Sequence, residues 1–457
     1  MLTTTLAAHI LETPFEQFSA QDVECAKLRL IDMLGCIVGG GRAPGTDALV
    51  GLLASWGGMG LAGVPGQSLR LPVHHAAFLS SLLGRAFDFE VTGPEAEGIH
   101  AGKMVGHVPS TTEPAALALT EATGASGREL LAAVILGGDV AARFAVANTF
   151  DFDRNFEVCG TANAFGALAV AARLMRLDQA QTVNAFGILL HMVGGSFQSL
   201  WDGVDAFRLP GALAAQNGIL AAQMSRAGFG GVRDPLTSPQ GYFALFGNDP
   251  HPENLRTDLG KVFYVKGMHK LHPSCYGNHN PIESALEIVR QCDFSAQDIA
   301  AVTLDVPARR IRHFLNQPMR AADAQPRALF SIPYGVANVL LRKSVELDHY
   351  IAPAIHDPEV MVLSERVVLV PSDRVSGTHQ GLLSVTLTDG TILQAERLMP
   401  KGWAENPVGR PEVEAKFWRN IGFAGSVSAD QAQRALDVID RLETLDNATA
   451  LTDCLTL

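Results

Sequence analysis

Paired cysteines, basic runs and nucleotide-binding glycine motifs are all missing from this sequence, and each absence narrows what the chain does. The 6 cysteines among 457 residues show no CxxC spacing, which fits a reducing, cytoplasmic setting rather than a disulfide scaffold. Charge is sparse, 18% of residues, and unbalanced, with 47 acids against 35 lysines and arginines and a formal net charge of −12. No Lys/Arg run offers a stripe to neutralise phosphates, so no nucleic-acid partner is expected. No GxGxxG follows a strand, and neither a Walker GxxxxGK[ST] nor a GxSxG elbow occurs, which argues against nucleotide cofactors and serine hydrolysis. The zinc-protease signature HExxH is absent too. The N-terminus MLTTTLAAHILETPFEQ has no basic n-region or long apolar run. The longest uncharged window, Gln179 to Trp201, is long enough to span a bilayer at roughly 20 residues. It carries Thr182, Asn184, His191, Gln198 and three glycines, however, so it reads as a buried helix and no membrane partner is expected.

What is present is apolar. Hydrophobic residues make up 47% and glycine contributes 44 positions, enough for two or three domains with tightly packed helices. Three- and four-residue apolar spacing marks a helix over Val23–Val38, ended by Gly39–Gly41, and another over His74–Gly84. A Gly/Pro-rich loop from Thr92 to Pro109 is too long for a simple connector. Further helices are expected at 113–123, 127–147, 161–174, 180–193 and 211–227. After about 260 the texture alternates: strands are expected over Ile299–Val306, Arg366–Val370, Leu382–Leu387 and Thr391–Ala395, the last two around an Asp389-Gly390 turn. Helices at 281–291 and 331–341 interleave with them. The expected class is mainly α: a large multi-helix domain, 1–265, a smaller α+β lid, 266–400, and a segment, 401–457, returning to the helical domain.

One stretch, Lys270-Leu-His-Pro-Ser-Cys-Tyr-Gly-Asn-His279, gathers proton-transferring and anion-binding groups, with His269 just outside it. His269, His272, Cys275 and His279 are ligand types for zinc, but convergence of all four on a turn interrupted by Pro273 is awkward. Proton transfer is the favoured reading, and a polar turn entering a helix is the plain one. In an acidic protein that binds an anionic metabolite, the few cations must be local, which singles out Lys103, Arg208 and Lys270. Asp88 and Glu90, set between aromatics in Ala86-Phe-Asp-Phe-Glu90, suit acid–base work, unless they merely pair with Arg85. His107, held by the following Val-Pro-Ser, completes the set.

These stretches resemble the MmgE/PrpD family, nearly end to end. Leu30-Ile-Asp-Met-Leu-Gly-Cys-Ile-Val-Gly39 is similar to its first-helix signature. Ala86–Glu90 resembles its DFDD segment and Gly106-His-Val-Pro-Ser-Thr-Thr-Glu-Pro-Ala115 its HPS…PA segment. Gly160–Leu177, Ala214–Gly218, Lys270–His279 and Ala328–Tyr334 add further likeness. The resemblance implies a cofactor-free and metal-free lyase or isomerase, dimeric, with its site in the cleft between a helical body and an α+β lid. It puts catalytic roles on Asp88, His107 and Lys270, with Cys275 at the position after Pro-Ser; substrate contacts are expected from Lys103, Arg208, Glu157, His272, Tyr276 and His279. The substrate it implies is a small di- or tricarboxylate that loses a proton α to a carboxylate. Dehydration, decarboxylation and epimerisation all fit, and the Pro-Ser-Cys-Tyr wording is closest to the epimerase branch. Two departures stand out: Glu157 replaces a family histidine, and Phe207 replaces a family lysine, leaving Arg208 one position along. They motivate an alternative of another class, an inactive relative kept for binding or assembly.

Overall fold

A computed structural model of the chain describes residues 1–101, 103, 105–148, 156–375 and 381–457. Of the expected Thr92–Pro109 loop, Gly102 and Met104 lie outside the described residues.

The body is a stack of helices whose small residues let backbones touch. Helix α1, Ala20–Gly40, starts at a reciprocal cap in which Ser19 and Asp22 satisfy each other's backbone N–H. Helix α2 spans Val73–Gly84, α3 Pro109–Thr123, α4 Gly127–Val146, α5 Val158–Leu174 and α6 Leu209–Arg226. At the centre, α5 packs against α3, α4 and α6. A Cβ on Gly166 of α5 would lie 2.5 Å from the Gly137 carbonyl of α4, so only glycine permits that crossing. Beside it, Phe144 and Phe165 stack with ring centroids 4.1 Å apart. The helix expected over 180–193 ends earlier, at Leu189. Residues past it turn back, and Gly194 offers its carbonyl so close to Gly160 that a Cβ there would be 1.8 Å away.

The smaller unit holds a four-stranded sheet. Strand β1, Ile299–Val306, pairs in parallel with β2, Val367–Pro371, and antiparallel with β3, Gly381–Leu387, which forms a hairpin with β4, Ile392–Arg397. Gly390 turns the hairpin at φ +88°. Alternating residues Val302, Leu304 and Val306 face a second core. It is covered by helices α7, His279–Gln291, and α8, Ile332–Arg342. Helix α9, Arg410–Ala424, runs back onto α1. Gly35 and Gly39 are the notches: their Cβ atoms would stand 3.1 Å from Phe417 Cα and 2.4 Å from Asn420 Oδ1. All six cysteines are free, and among the described residues no helix is long and apolar enough to cross a membrane.

Candidate active site

The two cores meet at residues 85–93. Alternation decides the facing: Phe87 and Phe89 belong to the second core, while Asp88 and Glu90 are turned away from it and are fully buried. Asp88 adopts φ +44°, a left-handed conformation that Asp tolerates better than most residues. Beyond Glu90 the chain pairs with two distant segments. Thr92 and Met268 exchange backbone hydrogen bonds of 3.0 and 2.9 Å as an antiparallel bridge, which sets Glu90 across from Lys270. Gly93 bridges His107, donating to the Gly106 carbonyl at 2.7 Å. Asn163 of α5 and Ser110 of α3 both donate to the His107 carbonyl, at 3.0 and 2.8 Å.

Four charges and one imidazole result. Lys270 Nζ lies 3.0 Å from Asp88 Oδ2 and donates to the Asp88 carbonyl as well. Arg85 spans both acids, 3.2 Å from Asp88 Oδ1 and 2.7 Å from Glu90 Oε1. His107 Nδ1 is 2.6 Å from Glu90 Oε1. Its side chain, 22% exposed, is the open member of an otherwise closed cluster. Glu157 caps α5 by accepting the Gly160 N–H at 3.1 Å and lies within electrostatic reach of Arg85. Cys275 feels both Asp88 and Lys270.

Burial pushes the Glu90 carboxyl up, but Arg85, Lys270 and His107 together overcome this and hold it well below the usual carboxylate range. Burial and the neighbouring Arg85 and Lys270 lower His107, outweighing the opposing pull of Glu90. The imidazole is therefore neutral near pH 7. With Glu90 ionised, Nδ1–H must be the donor in their bond, which leaves Nε2 with a free lone pair. That is a base with an orienting carboxylate behind it. Burial raises Glu157, against the pull of Arg85, so this acid holds its proton more readily than a solvated one. Burial, with Asp88, pushes the Cys275 thiol up to about 11, so it is protonated.

Asp88, Glu90 and His107 could each bring one ligand atom to a metal ion, all within 4.8 Å of one another. The ion would compete with two resident cations. Two carboxylates, Arg85 and Lys270 already balance, and a divalent ion would leave an uncompensated double charge in a buried place.

The structure thus gathers Asp88, Glu90, His107, Lys270, Cys275 and Glu157, with Arg85 paired to both acids as the plain reading had it. Of the other expected substrate contacts, His279 lies within electrostatic reach of Lys270, and the rest are placed elsewhere. Tyr276 stacks on His279 at 4.7 Å and 9°, His272 lies 5.4 Å from His279, and Trp403 packs against Tyr276 with ring centroids 5.0 Å apart. Burial and Arg419 lower His272 to about 3, as expected of imidazoles kept neutral in a packed stack. His269 joins neither group, since its Nδ1 is 3.0 Å from Asp32. The candidate zinc ligands His269, His272, Cys275 and His279 are therefore split between environments. Arg208 pairs with Asp205 and reaches the Pro44 carbonyl at 3.5 Å. No hydrogen bond or ion pair among the described residues joins it to the cluster. Lys103 is exposed, beside His100. Two further residues, Asp32 and Lys416, were invisible to sequence reasoning, being 384 positions apart yet 2.7 Å apart in space.

Two family models match the chain: the MmgE/PrpD N-terminal domain over residues 4–255 and the MmgE/PrpD C-terminal domain over residues 272–444. Among curated proteins, the chain is similar to the cis-aconitate decarboxylase-like protein oryM of Aspergillus oryzae. The two are 25% identical, over 98% of this chain and 96% of that protein.

Proposed function

Because the chain belongs to the MmgE/PrpD family, we propose that it is a metal-independent lyase acting on a small di- or tricarboxylate through a carboxylate-conjugated carbanion. The Glu90–His107 pair, set 2.6 Å apart beside Lys270 and Arg85, is the observation that carries this reading. Dehydration and decarboxylation of such acids share one difficulty. An electron pair is left on carbon next to a carboxylate, either by proton removal or by loss of carbon dioxide. Fixed cations stabilise that charge strongly where water is scarce, and Lys270 and Arg85 occupy such a place. In the first case His107 Nε2 takes the proton and, as the imidazolium, returns it to the departing hydroxyl, which leaves as water. In the second, a protonated group beside the carbanion returns one, and the Cys275 thiol, pushed up to about 11, is the candidate. The oryM relative favours decarboxylation and makes cis-aconitate the first substrate to try.

A second reading, epimerisation, rests on Cys275: a neutral thiol near Lys270 provides a proton source separate from His107. Both readings include a homodimer, and light scattering at the mass of one chain would contradict that part. For the chemistry, purified protein is incubated in D2O with cis-aconitate, citrate, 2-methylcitrate and amino-dicarboxylates and followed by proton NMR. Carbon dioxide loss or water elimination supports the lyase, and α-deuteration with inversion but no loss of a group supports the epimerase. If no proton exchanges in any of these acids, the inactive-relative reading takes over.

A further inference from the structure

We propose that Asp32 and Lys416 are positioning residues that set the register of the proton-transfer cluster. Neither touches a reacting group. The Asp32 carboxylate, on α1, accepts the Val91 N–H at 2.8 Å through Oδ1. Its Oδ2 receives Lys416 Nζ at 2.7 Å and lies 3.0 Å from His269 Nδ1. Lys416 Nζ donates in turn to the Phe89 carbonyl at 2.5 Å and sits 4.3 Å over the Phe89 ring. The backbone on both sides of Glu90 is therefore tied to one buried ion pair. The same carboxylate holds His269, whose next neighbour is Lys270. One node thus fixes the two segments that carry Glu90 and Lys270.

The arrangement is costly to build, which argues that geometry is what it provides. Asp32 and Lys416 are both about 1% exposed. A buried ion pair is often no more stabilising than apolar residues of the same volume, while its directional bonds fix neighbouring groups. Its construction is traceable to sequence. Gly35 and Gly39, one turn apart on α1, let α9 approach so closely that Lys416 reaches across to Asp32. Burial pushes the Asp32 carboxyl up, but Lys416 and His269 more than reverse that, so the carboxylate stays charged.

The inference rests on the proposed chemistry for its kinetic arm only. In full-length protein, Asp32→Asn and Lys416→Met should lower kcat on cis-aconitate by about 10- to 100-fold, the scale of a misplacement near 1 Å. KM should stay within about threefold, because the interactions lost are not with substrate. Lys416→Arg, which keeps the charge, should recover most of the rate. The second arm needs no substrate: acetic anhydride labelling of lysine amines, read by peptide mass spectrometry. Lys270 should label at least about tenfold faster in Asp32→Asn than in wild type. Lys27, on the same helix as Asp32 but 6% exposed and paired with Glu443, should not change. Equal gains at Lys27 and Lys270, or none at Lys270, would overturn the positioning role. If wild type turns over no acid at all, the proposed chemistry fails while labelling still decides the positioning.

Discussion

Replacing Glu90 by Gln keeps the shape of the site and removes one charge, so it isolates what the carboxylate does for His107. The Nδ1···Oε1 distance is 2.6 Å with both partners buried or nearly so. A hydrogen bond to a charged group contributes about 1.5–3 kcal/mol. At about 1.36 kcal/mol per decade, complete loss would slow the reaction about 10- to 150-fold. The Gln carbonyl still accepts from Nδ1–H, so the expected drop in kcat on cis-aconitate is on the order of 10- to 50-fold. KM should scarcely move, since Glu90 lies behind His107 rather than in the open part of the site. The pH profile gives the sign. Ionised Glu90 favours the imidazolium, while burial, Arg85 and Lys270 oppose it. Without that carboxylate, His107 protonates only at still lower pH, and the acidic limb of kcat/KM moves down. Steady-state rates from pH 4.5 to 8, with circular dichroism to confirm folding, provide the check. A folded Glu90→Gln enzyme with wild-type kcat and an unmoved acidic limb would refute the dyad.

Four other outcomes are expected. Lys270→Met should cost about 10²–10⁴ in rate and about 3–5 kcal/mol of stability by leaving Asp88 short of a partner; adding Asp88→Asn should restore stability, in urea melts, without restoring activity. Exhaustive dialysis against EDTA should leave turnover intact, and a loss reversed by zinc or magnesium would revive metal binding at Asp88, Glu90 and His107. His272 has a folded value of about 3 against an unfolded value near 6.5, so its contribution is whole above pH 6.5 and declines as pH falls toward 3. Wild type should therefore lose about 1.6 kcal/mol between pH 6.5 and 5 from this residue, and His272→Gln should lose correspondingly less in paired denaturation curves. Gly106→Ala forces a side chain onto φ +101° with Cβ 2.8 Å from Val158 Cγ1; strain of about 1–3 kcal/mol beside His107 should lower both the melting temperature and kcat.

Periodicity made the fold legible. The helices at Val73–Gly84 and Gly127–Val146 and the strand at Ile299–Val306 fall where apolar spacing put them; the strand buries alternate residues, while the two helices are buried almost all round. The site was legible where chemistry and rarity coincide, as at Asp88, His107 and Lys270. It was less so in the stretch 270–279. There, density in sequence suggested one site, but Pro273 and the positive φ of Ser274 turn successive side chains apart. His279 stacks on Tyr276 and lies beside His272, with Trp403 against Tyr276, while Lys270 and Cys275 stay with Asp88. Arg208 read as a free cation because its partners, Asp205 and the Pro44 carbonyl, carry no sequence signal. Asp32 looked like one polar residue in an apolar helix. Its partner comes from the other end of the chain, and no local pattern links the two.

That return of α9 to α1 bears on how the molecule comes into being. A ribosome making this chain releases the imidazole, both acids and the lysine of the cluster long before it releases Lys416. Until then Asp32 waits in the interior of a half-built helical body without its counter-ion. On the proposed positioning role, competence for chemistry arrives late and at once, when the last helices dock, and not in proportion to the length already synthesised.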